Sequence, residues 1–210
     1  MVEPIRGLDP DRIRGRLEEV RHRAGSGVEV LVATKYVPLE EMGALVEAGV
    51  ELVGENRLQD LEAKRERWAG AFAWDFIGAL QSRKVKRVLP LTRLIHSLSS
   101  DSALAQLERH ASPQTEVLVE VNLSGEQSKS GIDPVALGEF IARCPVRVGG
   151  LMTMPPASSD PERSRPYFAR LAELGAEHQL PRLSMGTTQD WQVAVEEGAT
   201  ILRLGSGLLR

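Results

Sequence analysis

Two hydrophobic periods alternate along the chain. Short β-branched or apolar runs read as strands: VEVLVATK at 28–35, ELVGEN at 51–56, AWDFIGAL at 73–80, LIHSLS at 94–99, EVLVEVNL at 116–123, VRVGGLMT at 146–153, RLSMG at 182–186 and ILRLG at 201–205. Between them the apolar spacing turns helical. Leu39, Met42, Leu45, Val46 and Val50 recur at three- and four-residue steps, the stripe that a helix buries against a sheet. Phe168, Leu171 and Leu174 repeat the pattern, as do Trp191, Ala194 and Val195, and a further amphipathic stretch over about 8–24 precedes the first strand. Asp101-Ser102, Asp133-Pro134 and Asp160-Pro161 or Ser164 supply caps or first-turn prolines.

Eight strands, each but the last followed by a helix, can close as a (β/α)8 TIM barrel or open as a doubly wound sheet. Strand cores such as VLVA and VLVEV are apolar on both faces, as in a parallel sheet covered on both sides. With 210 residues the chain is near the lower limit for the barrel, and its short connections leave no room for a second domain. The expectation is α/β, one barrel domain over 1–210, with MPPASSDPERSRP at 154–166 as a mobile loop.

Charge narrows the partners. The 26 Lys and Arg against 29 Asp and Glu leave a net charge of −3, which argues against bulk-charge binding to nucleic acid or anionic lipid. The single cysteine, Cys144, excludes an intramolecular disulfide and fits a reducing cytoplasm. The N-terminus is too charged for a secretory signal, and no apolar run approaches the ~18 residues that span a membrane. A soluble cytoplasmic monomer is expected. His22, His96, His110, His178 and Cys144 lack zinc spacing, so no metal is expected, and no P-loop or dinucleotide fingerprint appears.

In a barrel, reactive groups gather at the carboxyl ends of the strands. Lys35 ends an apolar strand, where a partly desolvated mouth would free an amine as a nucleophile toward aldehydes, unless it snorkels to the surface. LSMGTTQDW turns at Gly186 into a helix, with two threonine hydroxyls following, and RLGSG adds Gly205 and Gly207. Together these turns read as an anion cradle at the usual phosphate position of the fold, or as capped turns without a ligand. Arg203 lies within strand eight between Leu202 and Leu204, and a buried guanidinium needs either a carboxylate such as Glu55 or a ligand. Amine, anion cradle and buried arginine suggest a phosphorylated aldehyde held as an imine, of which pyridoxal 5'-phosphate is the commonest.

VATKYVP, GENRLQD, WDFIGALQSRKVK, IHSLSS, VNLSGEQSKSGI, GLMTMPP and LSMGTTQDW…GATILRLG resemble, in order, the motifs of the YggS/PROSC family, the pyridoxal phosphate homeostasis proteins. The resemblance runs from about residue 8 to 207 and implies an alanine racemase N-terminal-domain-like barrel. It implies that Lys35 holds the cofactor as an internal aldimine and that Asn56 sits near the ring hydroxyl. Ser184, Gly186 and Thr187, with the backbone at Gly205, would cradle the phosphate, Met185 and Leu204 being counted among the contacts. Arg203 would approach the pyridine nitrogen, while His96, Ser97 and Met152 would line the ring pocket. Two departures stand out: Thr187-Thr188 replaces the usual Met-Ser, and the ending GSGLLR is shorter and less aromatic than usual, which puts the packing of a final helix in question.

The chemistry expected is restrained. An arginine keeps its proton, so a ring nitrogen facing it stays unprotonated and the ring is a weak electron sink. Racemisation also needs acid/base groups on both faces of the substrate carbon. Strand alternation would send Tyr36 to the opposite face from Lys35, and Tyr167 falls on an outer helix. The expected function is therefore storage and delivery of the cofactor to pyridoxal phosphate-dependent apo-enzymes. Slow racemase or transaminase activity, and a cofactor-free class I aldolase acting on a sugar phosphate, stay open. Lys84 and Lys129 are candidates for passing the aldehyde on, although Arg83, Lys84, Lys86 and Arg87 also read as a solvated helix face.

Overall fold

A computed structural model describes residues 3–126 and 129–210. Eight strands form a closed, all-parallel barrel in sequence order: β1 (Glu29–Ala33), β2 (Leu52–Glu55), β3 (Ala73–Phe76), β4 (Leu94–Leu98), β5 (Glu116–Glu120), β6 (Arg147–Met152), β7 (Arg182–Ser184) and β8 (Ile201–Leu204). Each lies within its predicted run, and the runs overshoot because their last residues already belong to the loops at the barrel mouth. The helices are α1 (Pro10–Ala24), α2 (Met42–Glu47), α3 (Leu58–Trp68), α4 (Val85–Val88), α5 (Asp101–His110), α6 (Leu137–Ala142), α7 (Arg165–Glu177), α8 (Trp191–Glu196) and α9 (Ser206–Leu209).

Local chemistry sets the boundaries. The Asp9 carboxylate accepts from the backbone N–H groups of Asp11 and Arg12 and starts α1, whose Ile13, Leu17 and Val20 are buried. Ser100, one residue before the predicted cap, accepts from Ala103 N–H and starts α5. The Leu39 stripe is only partly helical. A tight turn covers Leu39–Glu41, α2 buries Met42 and Leu45, and Val46 at the edge of that stripe is exposed. The predicted loop at 154–166 is cut back by a turn at Pro161–Ser164 and by α7, which begins at Arg165. The closing helix α9 forms with Leu208 and Leu209 buried, packed against α1.

Alternation along the strands separates two cores. Leu31, Leu52, Leu94, Leu118, Met152 and Ile201 fill the barrel interior, while residues of opposite parity, such as Val30, Val32, Leu202 and Leu204, pack against the helices. Each fully buried leucine contributes roughly 1.5–3 kcal/mol. An irregularity between Ile95 and Leu98 breaks this alternation in β4 and lets both His96 and Ser97 face inward. The amino-terminal end of the barrel is closed by charge. Arg93 bonds Glu29 and Asp75, and Arg182 bonds Glu29 and Glu116, at 2.6–3.0 Å.

Candidate functional site

At the carboxyl ends of the strands lies a cavity of about 490 Å³. Lys35, Asn56, Ser97, Met152, Thr187, Arg203 and Gly205 line it, so seven of the predicted residues share one space.

Arg203 rises into it from the interior face of β8. Its Nη1 donates to Ser184 Oγ at 2.6 Å, and its Nη2 donates to the Thr153 carbonyl at 3.0 Å. Glu55, the carboxylate offered as one of its two alternative partners, is engaged elsewhere: Thr34 Oγ1 donates to it and Lys64 pairs with it. The reason is parity, since Glu55 points outward from β2 while its neighbours Gly54 and Asn56 take the inward positions. Burial pushes the Arg203 pKa down to about 10, opposed by the charges of Glu120 and Asp190, so it remains a cation at neutral pH.

Ser184 and His96 lie beneath the cavity rather than in its lining. Both are fully buried, with His96 Nδ1 2.8 Å from Ser184 Oγ and Nε2 3.1 Å from Asp75 Oδ2. Ser184 is therefore a strut for Arg203, not a phosphate contact. His96 is the next link of a chain running through Asp75 to Arg93 at the closed end. Burial, joined by the charges of Arg203 and Arg93, lowers the His96 pKa despite Asp75, so the imidazole is neutral. Burial opposes the Asp75 charge, but the hydrogen bonds from His96 and Arg93 hold that carboxyl below its usual value. One proton arrangement then satisfies every group: Nε2–H donates to Asp75, and Nδ1 accepts from Ser184. Met185 and Leu204 face the outer helices, so their side chains cannot touch a ligand in the cavity.

Lys35 is exposed, not desolvated, with its ammonium 5.0 Å from the centre of the Tyr36 ring. β1 ends at Ala33, so Lys35 has already left the strand, and the alternation expected to send Tyr36 away no longer applies. Tyr36 lines the same cavity. Among the described residues Asn56 Oδ1 is buried without a hydrogen-bond partner, an acceptor held ready at the rim.

At the cradle, Thr187 N–H and Oγ1 donate to Asp190, while Thr188 Oγ1 accepts from Gly205 N–H and Gly207 N–H, both at 3.3 Å. Those two long bonds would yield to the shorter, charge-assisted bonds of an anion. Gly186, at φ 87°, is required by packing, because a Cβ there would lie 2.5 Å from that of Ala194. Gly207 has the same role toward Thr188, whose Cγ2 would lie 2.1 Å from an added Cβ.

Among the residues that sequence reasoning passed over, Glu120 matters most. It sits on the inward face of β5, lines the cavity and accepts from Ser130 Oγ at 2.6 Å. Burial raises its pKa, against the Ser130 hydrogen bond and the Arg203 charge. The signal was available: a glutamate at the inward parity of VLVEV. Lys84 and Lys129 lie outside the lining, Lys129 being 3.7 Å from Glu126.

Residues 8–209 match the family described as alanine racemase, N-terminal domain. A pyridoxal phosphate homeostasis protein of Aquifex aeolicus is 40% identical, the alignment covering 93% of each chain. The chain belongs to the YggS/PROSC family. Within the family, the pyridoxal phosphate homeostasis protein of Vibrio cholerae is 33% identical over 94% of this chain and 92% of its own. The solved structure of PipY from Synechococcus elongatus with PLP bound superposes with a TM-score of 0.84 at 28% identity, over 94% of this chain and all of that one. Alanine racemase from Corynebacterium glutamicum shares the barrel, with a TM-score of 0.75 at 14% identity over 96% of this chain and 60% of its own. Among the described residues no helix is long and apolar enough to cross a membrane.

Proposed function

We propose that this chain binds pyridoxal 5'-phosphate covalently at Lys35 and serves pyridoxal phosphate homeostasis in the cytoplasm, storing the cofactor and delivering it to apo-enzymes. The observation that carries the reading is the convergence, on one cavity, of an amine, an unpartnered amide oxygen and a buried guanidinium, with hydroxyls and backbone N–H groups alongside. The names of the relatives and the PLP of PipY support it.

When bound, the group supplies an aldehyde that condenses with a primary amine, releasing water, and a ring whose electron-withdrawing power depends on a proton at its nitrogen. The residues of this chain do the rest. Lys35, exposed at the rim, meets the aldehyde without unfolding the barrel. Asn56 Oδ1 would accept from a hydroxyl at the ring edge, and Thr188 with the N–H groups of Gly205 and Gly207 would hold the phosphate. Arg203, braced by Ser184 and Thr153, would offer the ring nitrogen an N–H while retaining its own proton, so the group would supply little carbanion stabilisation there. Holding and releasing, rather than turnover, is the consequence.

Purified protein reconstituted with pyridoxal 5'-phosphate should be yellow, borohydride should fix the cofactor's mass to Lys35, and the untreated complex should activate an apo-enzyme over time. Colourless protein that cannot be loaded would instead favour the aldolase reading. Tyr36 in the cavity favours a second reading, slow turnover of amino acids, because it places another acid/base group beside Lys35. Robust racemisation lost in Lys35→Ala would replace storage with that activity.

A further inference from the structure

Helix α3 carries an anomaly. Leu58 and Leu61 lie on its buried stripe, and three residues on the same stripe holds Lys64, which is 5% exposed. A lysine at a core position is costly unless every proton is used. Here the ammonium donates to the Thr34 carbonyl at 2.7 Å and pairs with the fully buried Glu55. Glu55 in turn accepts from Thr34 Oγ1 at 2.7 Å and from Asn56 N–H at 3.3 Å. One outer-helix side chain and one carboxylate thus grip the residue immediately before Lys35 and the backbone of Asn56.

We propose that Lys64, acting with Glu55, is a positioning residue that locks the ends of β1 and β2 together and so sets where the Lys35 amine and the Asn56 amide stand. This rests on the reading of Lys35 and Asn56 as cofactor ligands. Stability alone does not account for the pair, because well-packed apolar residues of similar volume usually serve as well as a buried ion pair. Geometry does. The last ladder hydrogen bond of β1 runs from Thr34 N–H to the Gly54 carbonyl at 3.0 Å, and among the described residues none is made by Lys35 itself. Thr34 is tied on every polar group: its N–H donates to the Gly54 carbonyl, its carbonyl accepts from Val37 N–H and Lys64, and its hydroxyl donates to Glu55, so side chains supply the hold that the ladder does not. Lys64 also lines a second cavity, of about 540 Å³, which shares Lys35, Tyr36 and Asn56 with the first. Lys35 therefore borders two spaces, and the residue before it is the one that Lys64 and Glu55 hold.

Two sets of measurements test the clamp. The first needs no cofactor: the rate at which acetic anhydride labels Lys35 in the unloaded protein, read by mass spectrometry. The second is the affinity and the visible circular dichroism of the protein loaded with pyridoxal 5'-phosphate. Lys64→Met strands Glu55, so Lys64→Met/Glu55→Gln, which leaves no buried lone charge, and the near-isosteric Thr34→Val accompany it, with Lys64→Arg as the conservative control. In the folded variants we expect a labelling rate changed at least threefold, cofactor binding weakened about tenfold and a collapsed dichroic band, with Lys64→Arg close to wild type. Variants that melt earlier yet keep all three signals would reduce the pair to a structural staple and overturn the proposal. Wild-type protein that forms no adduct at Lys35 would sink the cofactor reading instead, and unchanged labelling in the unloaded variants would then sink the clamp separately.

Discussion

The two ends of the barrel are built from the same residue types and treat them in opposite ways. At the amino-terminal end Glu29, Arg93, Asp75, Arg182 and Glu116 satisfy one another. At the carboxyl end Lys35 is exposed over a tyrosine ring, Arg203 rests on a hydroxyl and a carbonyl instead of a carboxylate, and Asn56 Oδ1 has no partner. Charges that close on themselves hold a fold together. Charges left open are what a ligand can complete, and the chain Arg93–Asp75–His96–Ser184–Arg203 joins the two regimes through the barrel interior.

The contrast can be broken most severely at Lys35. Lys35→Ala should abolish the yellow colour and the borohydride adduct completely while leaving the melting temperature unchanged, because the side chain is exposed; absorbance and calorimetry check both halves. At the closed end Arg93→Met should do the reverse. It leaves the buried Asp75 with His96 alone, at a cost of about 2 kcal/mol, discounted from the roughly 3–5 kcal/mol of a fully buried pair because Arg93 is partly exposed. That should lower the melting temperature by roughly 4–8 °C, with cofactor loading retained below the transition.

Asn56→Ala should separate the two properties at a single site. Its orphaned acceptor contributes nothing to the unloaded fold, so stability should hold or rise slightly, while cofactor affinity falls about tenfold, the worth of one lost hydrogen bond. A matched loss of stability would mean that the oxygen was never held for a ligand.

The smallest effects concern pH. Glu120 has a folded pKa raised above 4.5, so between that value and its folded pKa the native state binds more protons than the unfolded one, and its contribution declines as pH rises through this window. His96 and Asp75 have folded pKa values below 6.5 and 3.8, so their contributions are intact above those values and are lost as pH falls toward the folded ones. Glu120→Gln should flatten the alkaline side of the stability profile and leave the acid side unchanged; denaturant midpoints measured across pH would reveal the reverse if the assignment is wrong.

Much of this was legible beforehand. The alternation of periods located all eight strands, because a parallel barrel strand must be apolar on both faces and that demand is written residue by residue. Motif resemblance brought Lys35, Asn56, Ser97, Met152 and Arg203 to one cavity. The residues outside the lining have two physical reasons. The resemblance counts His96, Ser184, Met185 and Leu204 among the cofactor contacts, but Met185 and Leu204 point from their strands to the outer helices, and His96 and Ser184 face inward one layer below the cavity.

Sequence alone therefore determined eight alternating strand and helix units and the strand ends on which chemistry could stand, since each follows from local periodicity, while closure into a barrel in sequence order is seen only in the structure. Only the tertiary structure decided which polar groups close on one another and which stay open. Glu55 meets Lys64 rather than Arg203 because α3 packs back over the end of β2, and His96 meets Asp75 on the neighbouring β3 and Ser184 across the barrel on β7 because the sheet closes. A hydrogen bond depends on that final geometry and leaves no periodic trace in the chain that makes it.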